Sequence, residues 1–141
     1  MELNQRSPEG RQFIQRYDAS GFRVGGVDFE GPVLVLPDRT MPWPVSSLAD
    51  VTLEALTPVL DTEPRIELLI LGLGETGGPP PAALAQALRP HRIALEAMNT
   101  GSACRTFNVL AGDGRRVAAA LLPGVWRSVR PVIRNEGSGQ A

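Results

Sequence analysis

The sequence contains no lysine, one cysteine and one histidine. A single cysteine excludes an internal disulfide and indicates a reducing compartment. The predicted strand Ile93–Ala97 separates His91 from Cys104. A strand of that length spans about 16 Å, which places the two side chains at opposite edges of a sheet. We therefore expect neither a Cys–His dyad nor a metal site, and we assign no catalytic or metal-binding residue.

Long apolar runs are also absent, because no stretch approaches the ~20 apolar residues of a membrane span. The first residues have no apolar core of signal-peptide length, and Glu2 and Glu9 are untypical of a transit peptide. The net charge of −1 gives no global field that would recruit nucleic acid. We expect a soluble, cytoplasmic protein with no stable membrane insertion, and the sequence leaves its oligomeric state open.

The chain of 141 residues is long enough to bury one core, and 43% of it is hydrophobic. We predict a flexible N-terminal arm over 1–12, a single domain over 13–125 and a flexible basic tail over 126–141. The tail has apolar residues at helical spacing, but Pro131 lies among them, which favours a solvated tail over a surface-binding helix.

The segment Ile66–Gly77 reads as a near-continuous apolar run that stops in glycines, which is typical of a strand buried on both faces. A second such run, Ile93–Met98, follows a helix predicted over Ala82–Leu88. Two buried strands joined by a helix indicate a parallel βαβ unit. We therefore predict adjacent, parallel, buried strands in a single three-layer α/β domain.

Other patterns predict a meander of short antiparallel strands between Phe22 and Leu36, and an extended segment around Trp43 that cannot join the middle of a sheet. A helix over 47–60 is predicted from a capping-box spacing that begins at Ser47, with a kink at Pro58. A helix over about 103–110 would be capped by Ser102. A last apolar strand is predicted over Val117–Leu122.

The residues from Gly72 to Gly77 match GxGxxG after a strand, and Glu96 lies at about the distance of a ribose-binding acid. In a dinucleotide site the helix begins inside the glycine motif, whereas Gly78 and three prolines intervene here. A structural glycine turn is therefore favoured, and we assign no cofactor.

Cys104 has two interpretations. In the first turn of a helix and beside Arg105, its thiol would have a lowered pKa and be reactive. As a small residue on an apolar helix face, it would be a packed thiol. We favour the packed thiol.

If the two central strands are parallel, the loops that follow them open at one carboxyl edge, where α/β sheets bind ligands. Backbone N–H groups, hydroxyls and Arg105 could surround a small anion there. Two tightly hydrogen-bonded loops without a ligand are the alternative. The candidate ligand or partner surface consists of Gly72, Gly74, Glu75, Thr76, Thr100, Ser102, Cys104, Arg105, Thr106 and Asn108.

The sequence resembles one family, most specifically in the motif Thr100-x-x-Ala103-Cys104-x-Thr106-Phe107-Asn108. Further similarity lies in Gly31-Pro32, the Trp43 segment, Leu-Gly-Leu-Gly after the central strand, and Arg116–Leu121. This small-domain family includes the mitochondrial NADH:ubiquinone oxidoreductase (complex I) assembly factor 3 and uncharacterised bacterial and archaeal proteins.

The resemblance implies a three-layer α/β domain with a mixed central sheet and a small additional antiparallel β element. It implies no established enzymatic activity, and for the mitochondrial branch it implies early assembly of the peripheral arm of complex I with a partner assembly factor. We therefore expect a non-enzymatic interaction or assembly module with a protein partner. The alternative is a small-molecule or anion-binding domain at the carboxyl edge, with or without a reactive Cys104.

Overall fold

The computed structural model describes residues 11–46 and 48–123, which form two sheets and three α-helices. The elements are β1 (Ile14–Tyr17), β2 (Gly21–Val24), β3 (Val27–Glu30), β4 (Val33–Val35), β5 (Thr40–Pro42), α1 (Thr57–Leu60), β6 (Leu68–Leu73), α2 (Ala82–Leu88), β7 (Ala94–Met98), α3 (Thr100–Gly112) and β8 (Val117–Leu122). Single 3₁₀ turns occupy Leu48–Asp50, Glu54–Leu56 and Arg89–His91.

The central sheet has five strands in the order β5-β4-β8-β6-β7. Strand β6 is parallel to both β7 and β8, whereas β4 is antiparallel to β8 and β5. All six residues of β8 are buried, because this strand lies in the middle of the sheet and is covered on both faces. The predicted mixed central sheet is confirmed.

Two layers cover this sheet. On one face, α1, α2 and the segment around Trp43 form a core with the side chains of Leu69 and Leu71. Trp43 is buried there, and its indole Nε1–H donates to the carbonyl of Ala55 at 2.9 Å. On the other face, α3 packs on β6 and β8, and the small antiparallel sheet β1-β2-β3 packs beside α3. The predicted additional β element is this small sheet.

Strands β6 and β7 are adjacent and parallel, with Leu69 opposite Leu95, as predicted from their apolar sequences. The prediction that both are buried is wrong for the second strand. Strand β7 lies at the sheet edge, and its residues Ala94 and Glu96 are exposed. A short apolar run does not distinguish an edge strand covered on one face from a central strand covered on both.

The predicted meander between Phe22 and Leu36 divides between the two sheets. The first two strands of that meander, β2 and β3, join β1 in the small sheet, whereas β4 belongs to the central sheet. All three residues of β4 are buried, and a strand that is apolar on both faces is stable only between two layers. Strand β3 is largely exposed and remains at the edge of the small sheet.

The single helix predicted over 47–60 is replaced by two 3₁₀ turns and the short helix α1. Leu56 interrupts it, since its backbone dihedrals (φ −107°, ψ 15°) are not helical. Pro58 lies in the first turn of α1, where a missing N–H removes no helical hydrogen bond. The Asp50 carboxylate accepts from the N–H of Ser46 at 2.8 Å.

Some predictions fall on other parts of the chain. Ser47 of the proposed capping box, most of the proposed arm 1–12 and the whole of the proposed tail 126–141 lie outside the described residues. The segment predicted to be extended contains β5, just before Trp43, and β5 lies at the other edge of the central sheet.

Candidate functional site

The loop after β6 and the start of α3 meet at the carboxyl edge of the central sheet, as predicted. One side chain joins them. The hydroxyl of Thr100 donates to the carbonyl of Leu122 at 2.6 Å and accepts from the N–H of Gly74 at 2.8 Å. The N–H of Thr100 also donates to the carbonyl of Gly74 at 2.8 Å. Because Thr100 is only 1% exposed, this contact closes the edge at the point where the ends of β6 and β8 meet α3.

The glycines of the GxGxxG match permit this close approach. A Cβ atom at Gly72 would lie 2.9 Å from Cδ2 of Leu121 and 3.2 Å from Oγ1 of Thr100. Gly77 has a φ of +75°, and a Cβ there would lie 2.8 Å from the backbone nitrogen of Asn99. Helix α2 begins only after Pro81, so it does not start inside the glycine motif. These features favour the structural turn.

Helix α3 begins earlier than predicted. Its N-cap is Asn99, whose side-chain oxygen accepts from the N–H of Ser102 at 2.8 Å, so the assignment of Ser102 as the cap is wrong. A Cβ atom at Gly101, in the first turn, would lie only 2.6 Å from the Tyr17 hydroxyl, so this close approach requires glycine. Cys104 consequently lies in the second turn and not at the positive end of the helix.

Cys104 is fully buried in the core between α3 and the sheet, together with Ile70 and Phe107. Burial raises the pKa of its thiol to about 12, and the neighbouring Arg105 offsets only part of that effect. The thiol is therefore protonated at neutral pH. This agrees with the packed thiol and not with an activated thiolate.

Asn108 has an architectural role that the sequence did not indicate. Its side-chain oxygen accepts from the N–H of Ile14, and its amide nitrogen donates to the carbonyl of the same residue, both at 2.9 Å. A neighbouring strand would make the same kind of pair of hydrogen bonds. Because Asn108 is only 2% exposed, this contact fixes β1 on α3.

The ten predicted surface residues thus divide into two groups. Those with buried positions are Gly72, Gly74, Thr100, Cys104 and Asn108, and those that reach the surface are Glu75, Thr76, Ser102, Arg105 and Thr106. In the second group, Arg105 Nη1 donates to the Tyr17 hydroxyl at 3.2 Å, and the Thr106 hydroxyl lies 3.6 Å from Sδ of Met98. The hydroxyl of Thr100 is engaged internally, so it does not face solvent with the others.

An apolar surface on α3 was not predicted. A shallow depression of about 250 Å³ is lined by Arg105, Thr106, Val109 and Leu110. Val109 is 58% exposed, which is high for a large apolar side chain. A hydrophobic residue among polar neighbours on the outer face of the helix is the sequence signal that could have indicated this surface.

A second cleft, of about 80 Å³, lies at the opposite edge of the sheet and is lined by several arginines. Two of these arginines are engaged by backbone carbonyls: Arg11 donates to Ala111, and Arg116 donates to Pro64. Because Ala111 is in the last turn of α3, Arg11 satisfies the negative end of the helix. Both contacts stabilise the fold, although Nε of Arg116 is buried without a hydrogen-bond partner in the described part of the chain.

Within residues 11–46 and 48–123, no three His, Cys, Asp or Glu side chains are grouped so that they could hold a metal ion. No helix in that part of the chain is long and apolar enough to cross a membrane.

Two comparisons concern sequence. Residues 14–122 match a family described as a protein of unknown function, DUF498/DUF598. The human protein named NADH dehydrogenase (ubiquinone) 1 alpha subcomplex assembly factor 3 is 35% identical over 123 residues, which are 87% of this chain and 67% of that protein. An uncharacterised protein of Rhodobacter capsulatus is 33% identical over 110 residues, which are 78% of this chain and 83% of that protein.

Solved structures share the fold. A Bordetella parapertussis protein has a TM-score of 0.73 and 30% identity, over 82% of this chain and 99% of that one. A Bartonella henselae protein described as an outer membrane protein has a TM-score of 0.73 and 33% identity, over 81% and 96%. A Bordetella pertussis protein described as an Mth938-like domain has a TM-score of 0.70 and 26% identity, over 88% and 93%.

Proposed function

The chain belongs to the DUF498 family of proteins of unknown function, and we propose that it is a non-enzymatic interaction module that serves the assembly of an NADH dehydrogenase. The observation that carries this proposal is the 35% identity, over 87% of this chain, to a human protein named as an assembly factor of that enzyme. An assembly factor acts by binding other proteins, so its functional residues are those on the surface that contact a partner.

The chemistry of the carboxyl edge supports the proposal. A small-molecule site there would need polar groups that face a ligand, but the Thr100 hydroxyl is already bonded to Gly74 and Leu122. The thiol of Cys104 is buried and protonated. Thr100 could bind an anion only by giving up both of these hydrogen bonds, and a hydroxyl that is already satisfied has little to gain from a ligand.

Deletion of the gene in the organism that encodes the chain tests the proposal. We expect less assembled NADH dehydrogenase on native gels and lower NADH oxidation by membranes, both restored by the wild-type gene. A Cys104→Ala variant should also restore them, because no thiol chemistry is involved. Normal amounts of assembled enzyme in the deletion strain would refute the assembly role.

Affinity purification of the tagged chain provides a second readout. Subunits or assembly proteins of NADH dehydrogenase should be enriched relative to an unrelated tagged protein of similar size. Enrichment of a metabolic enzyme or a bound metabolite, without those proteins, would favour the small-molecule alternative.

We also propose a cytoplasmic location. The single, fully buried and unpaired Cys104 supports a reducing compartment. Cell fractionation tests this, and recovery of the chain in the outer-membrane fraction would contradict it, since one related structure carries that description.

A further inference from the structure

The two sides of α3 are covered unequally. On one side the small sheet packs against the helix through Tyr17 and Asn108. On the other side, the face of β7 that is turned toward α3 has no covering layer in the described part of the chain, since Ala94 and Glu96 are exposed and Met98 is only half-buried. The Thr106 hydroxyl lies 3.6 Å from Sδ of Met98 and joins this face of β7 to the shallow depression on α3 that Val109 and Leu110 also line. We name the combined surface the β7 groove, and its residues are Ala94, Glu96, Met98, Thr106, Val109 and Leu110.

The outer edge of β7 presents backbone groups that no other described strand uses. The N–H of Ala94 donates to the carbonyl of Glu67, on the side of β6. In a parallel strand the backbone N–H and C=O of successive residues point to alternate sides. The backbone groups of Ala94, Glu96 and Met98 therefore bond to β6, whereas those of Leu95 and Ala97 point away from it. No described strand pairs with that edge. Two N–H groups and two carbonyls are therefore available for an added strand.

The opposite edge of the same sheet is protected in the usual way. Strand β5 ends in Pro42, which has no N–H, and Pro37 and Pro44 flank it. Strand β7 contains no proline and no bulge, and its register with β6 is uninterrupted from Ala94 to Met98. Only the β5 edge is therefore closed to an additional strand.

Glu96 determines which strand the β7 edge accepts. It is exposed in the middle of β7, and none of the ion pairs within residues 11–46 and 48–123 includes it. A second copy pairing about a twofold axis at this position would place two Glu96 carboxylates opposite each other, which is unfavourable. An arginine or lysine opposite Glu96 is favourable for the same reason.

We propose that the β7 groove binds an extended, basic segment of a partner protein, which pairs with the outer edge of β7. Its basic side chain lies opposite Glu96, and its apolar side chains two residues away on the same face cover Met98 and Leu110. This proposal rests on the proposed function as an interaction module. It assigns the binding of the partner to an edge that carries none of the family motif.

Peptide titration by NMR tests the edge directly. The probe is the capped heptapeptide Ser-Val-Thr-Arg-Thr-Val-Ser, and its control has glutamate in place of arginine. At low salt the arginine peptide should bind the full chain about three- to tenfold more tightly, with chemical-shift changes confined to β7 and α3. The preference should vanish at high salt, because the charges are exposed.

Two variants make the test specific. Glu96→Arg should reverse the preference in favour of the glutamate peptide. Ala97→Pro removes one outward N–H and no bond to β6, so it should abolish binding of both peptides without unfolding the chain. The matched control Val27→Arg, on the exposed edge strand β3, should leave the preference unchanged. Equal binding of both peptides, or a preference that Glu96→Arg does not alter, would overturn the proposal.

Other occupants give distinct results, and each would also overturn it. A dimer in sedimentation equilibrium that Ala97→Pro dissociates would identify a second copy in the groove. A more than tenfold gain in peptide affinity after removal of residues 124–141 would identify the chain's own basic segment. In the native host, if both variants still co-purify with NADH dehydrogenase proteins, the groove assignment fails while the proposed function stands.

Discussion

Strand β7 and helix α3 are neighbours in the sequence but use their side chains in opposite ways. Helix α3 directs its polar residues Thr100 and Asn108 inward, where both are buried and hydrogen-bonded to backbone groups. Strand β7 leaves Glu96 exposed, and no strand within residues 11–46 and 48–123 pairs with its outer edge. The distinctive motif therefore holds the fold together, while the inconspicuous strand beside it offers the accessible surface.

The largest difference between buried and open positions should appear at a cross-strand pair of leucines. Leu69 and Leu95 lie opposite each other, but Leu69 is fully buried and Leu95 only partly. We expect Leu69→Asp to abolish soluble expression, because burial of an unpaired carboxylate costs several kcal/mol or more. Leu95→Asp should remain soluble with a lowered melting temperature. Equal solubility and stability of the two variants would contradict the difference in burial.

Thr100→Val should destabilise the chain by about 2 to 4 kcal/mol, because it leaves the buried Gly74 N–H and Leu122 carbonyl without a partner. The matched variant Thr106→Val alters only a long contact to sulfur, so its effect should stay within about 0.5 kcal/mol. Urea unfolding measures both. Similar values for the two variants would mean that the carboxyl edge is not closed by Thr100.

Asn108→Leu should cost about 2 to 3 kcal/mol, because the backbone N–H and carbonyl of Ile14 lose their partner. We expect somewhat less than for Thr100, since water can reach β1 once it loosens from α3. Hydrogen exchange should be faster in β1 and unchanged in β6. Uniformly faster exchange in both strands would mean that the small sheet is not held locally by Asn108.

Cys104→Ser should destabilise the fold by about 1 to 3 kcal/mol, because it places a hydroxyl in an apolar site. Alkylation of the native thiol should be slow at neutral pH, since the thiolate is the nucleophile and burial raises its pKa to about 12. A plateau of fast labelling below about pH 7 would contradict the packed thiol and indicate an activated thiolate.

The raised pKa of the Cys104 thiol predicts that the free energy of unfolding decreases at alkaline pH. Its pKa is about 12 in the folded chain against an ordinary value of 9.0, so folding favours the protonated form. The resulting stability is fully present below about pH 9 and is lost as the pH rises toward 12. Between pH 8 and 10.5, wild type should lose about 1 to 2 kcal/mol more than Cys104→Ala in urea unfolding. Equal losses would indicate that the thiol titrates normally.

Local sequence patterns predicted the elements in which one periodicity dominates. Helix α2 and strand β8 have the predicted bounds, because an apolar run or stripe between prolines and glycines has few alternative structures. The division of β3 and β4 between two sheets was missed, since sequence adjacency favours one hairpin series. The start of α3 was missed because Asn99 and Ser102 are both good caps, and the contact of Gly101 with Tyr17 favours the longer helix.

The candidate site could be located but not characterised from the sequence. Parallel pairing of β6 and β7 brings their following loops to one edge, and this follows from the apolar pattern. Whether the Thr100 hydroxyl faces a ligand or a carbonyl depends on the position of Leu122, more than twenty residues later. The exposure of Glu96 likewise depends on which strand lies at the sheet edge, and that information is not local.

The central position of β8 also sets the order in which the molecule can be completed. Strands β4 and β6 are its two neighbours, and both precede it in the chain. During synthesis one edge of each strand therefore stays unpaired until residues 117–122 leave the ribosome. Strands with unpaired edges are sites of aggregation. A nascent chain arrested before Val117 therefore exposes two unpaired strand edges and becomes a substrate for chaperones and proteases. The six residues of β8 pair with both edges and complete the sheet.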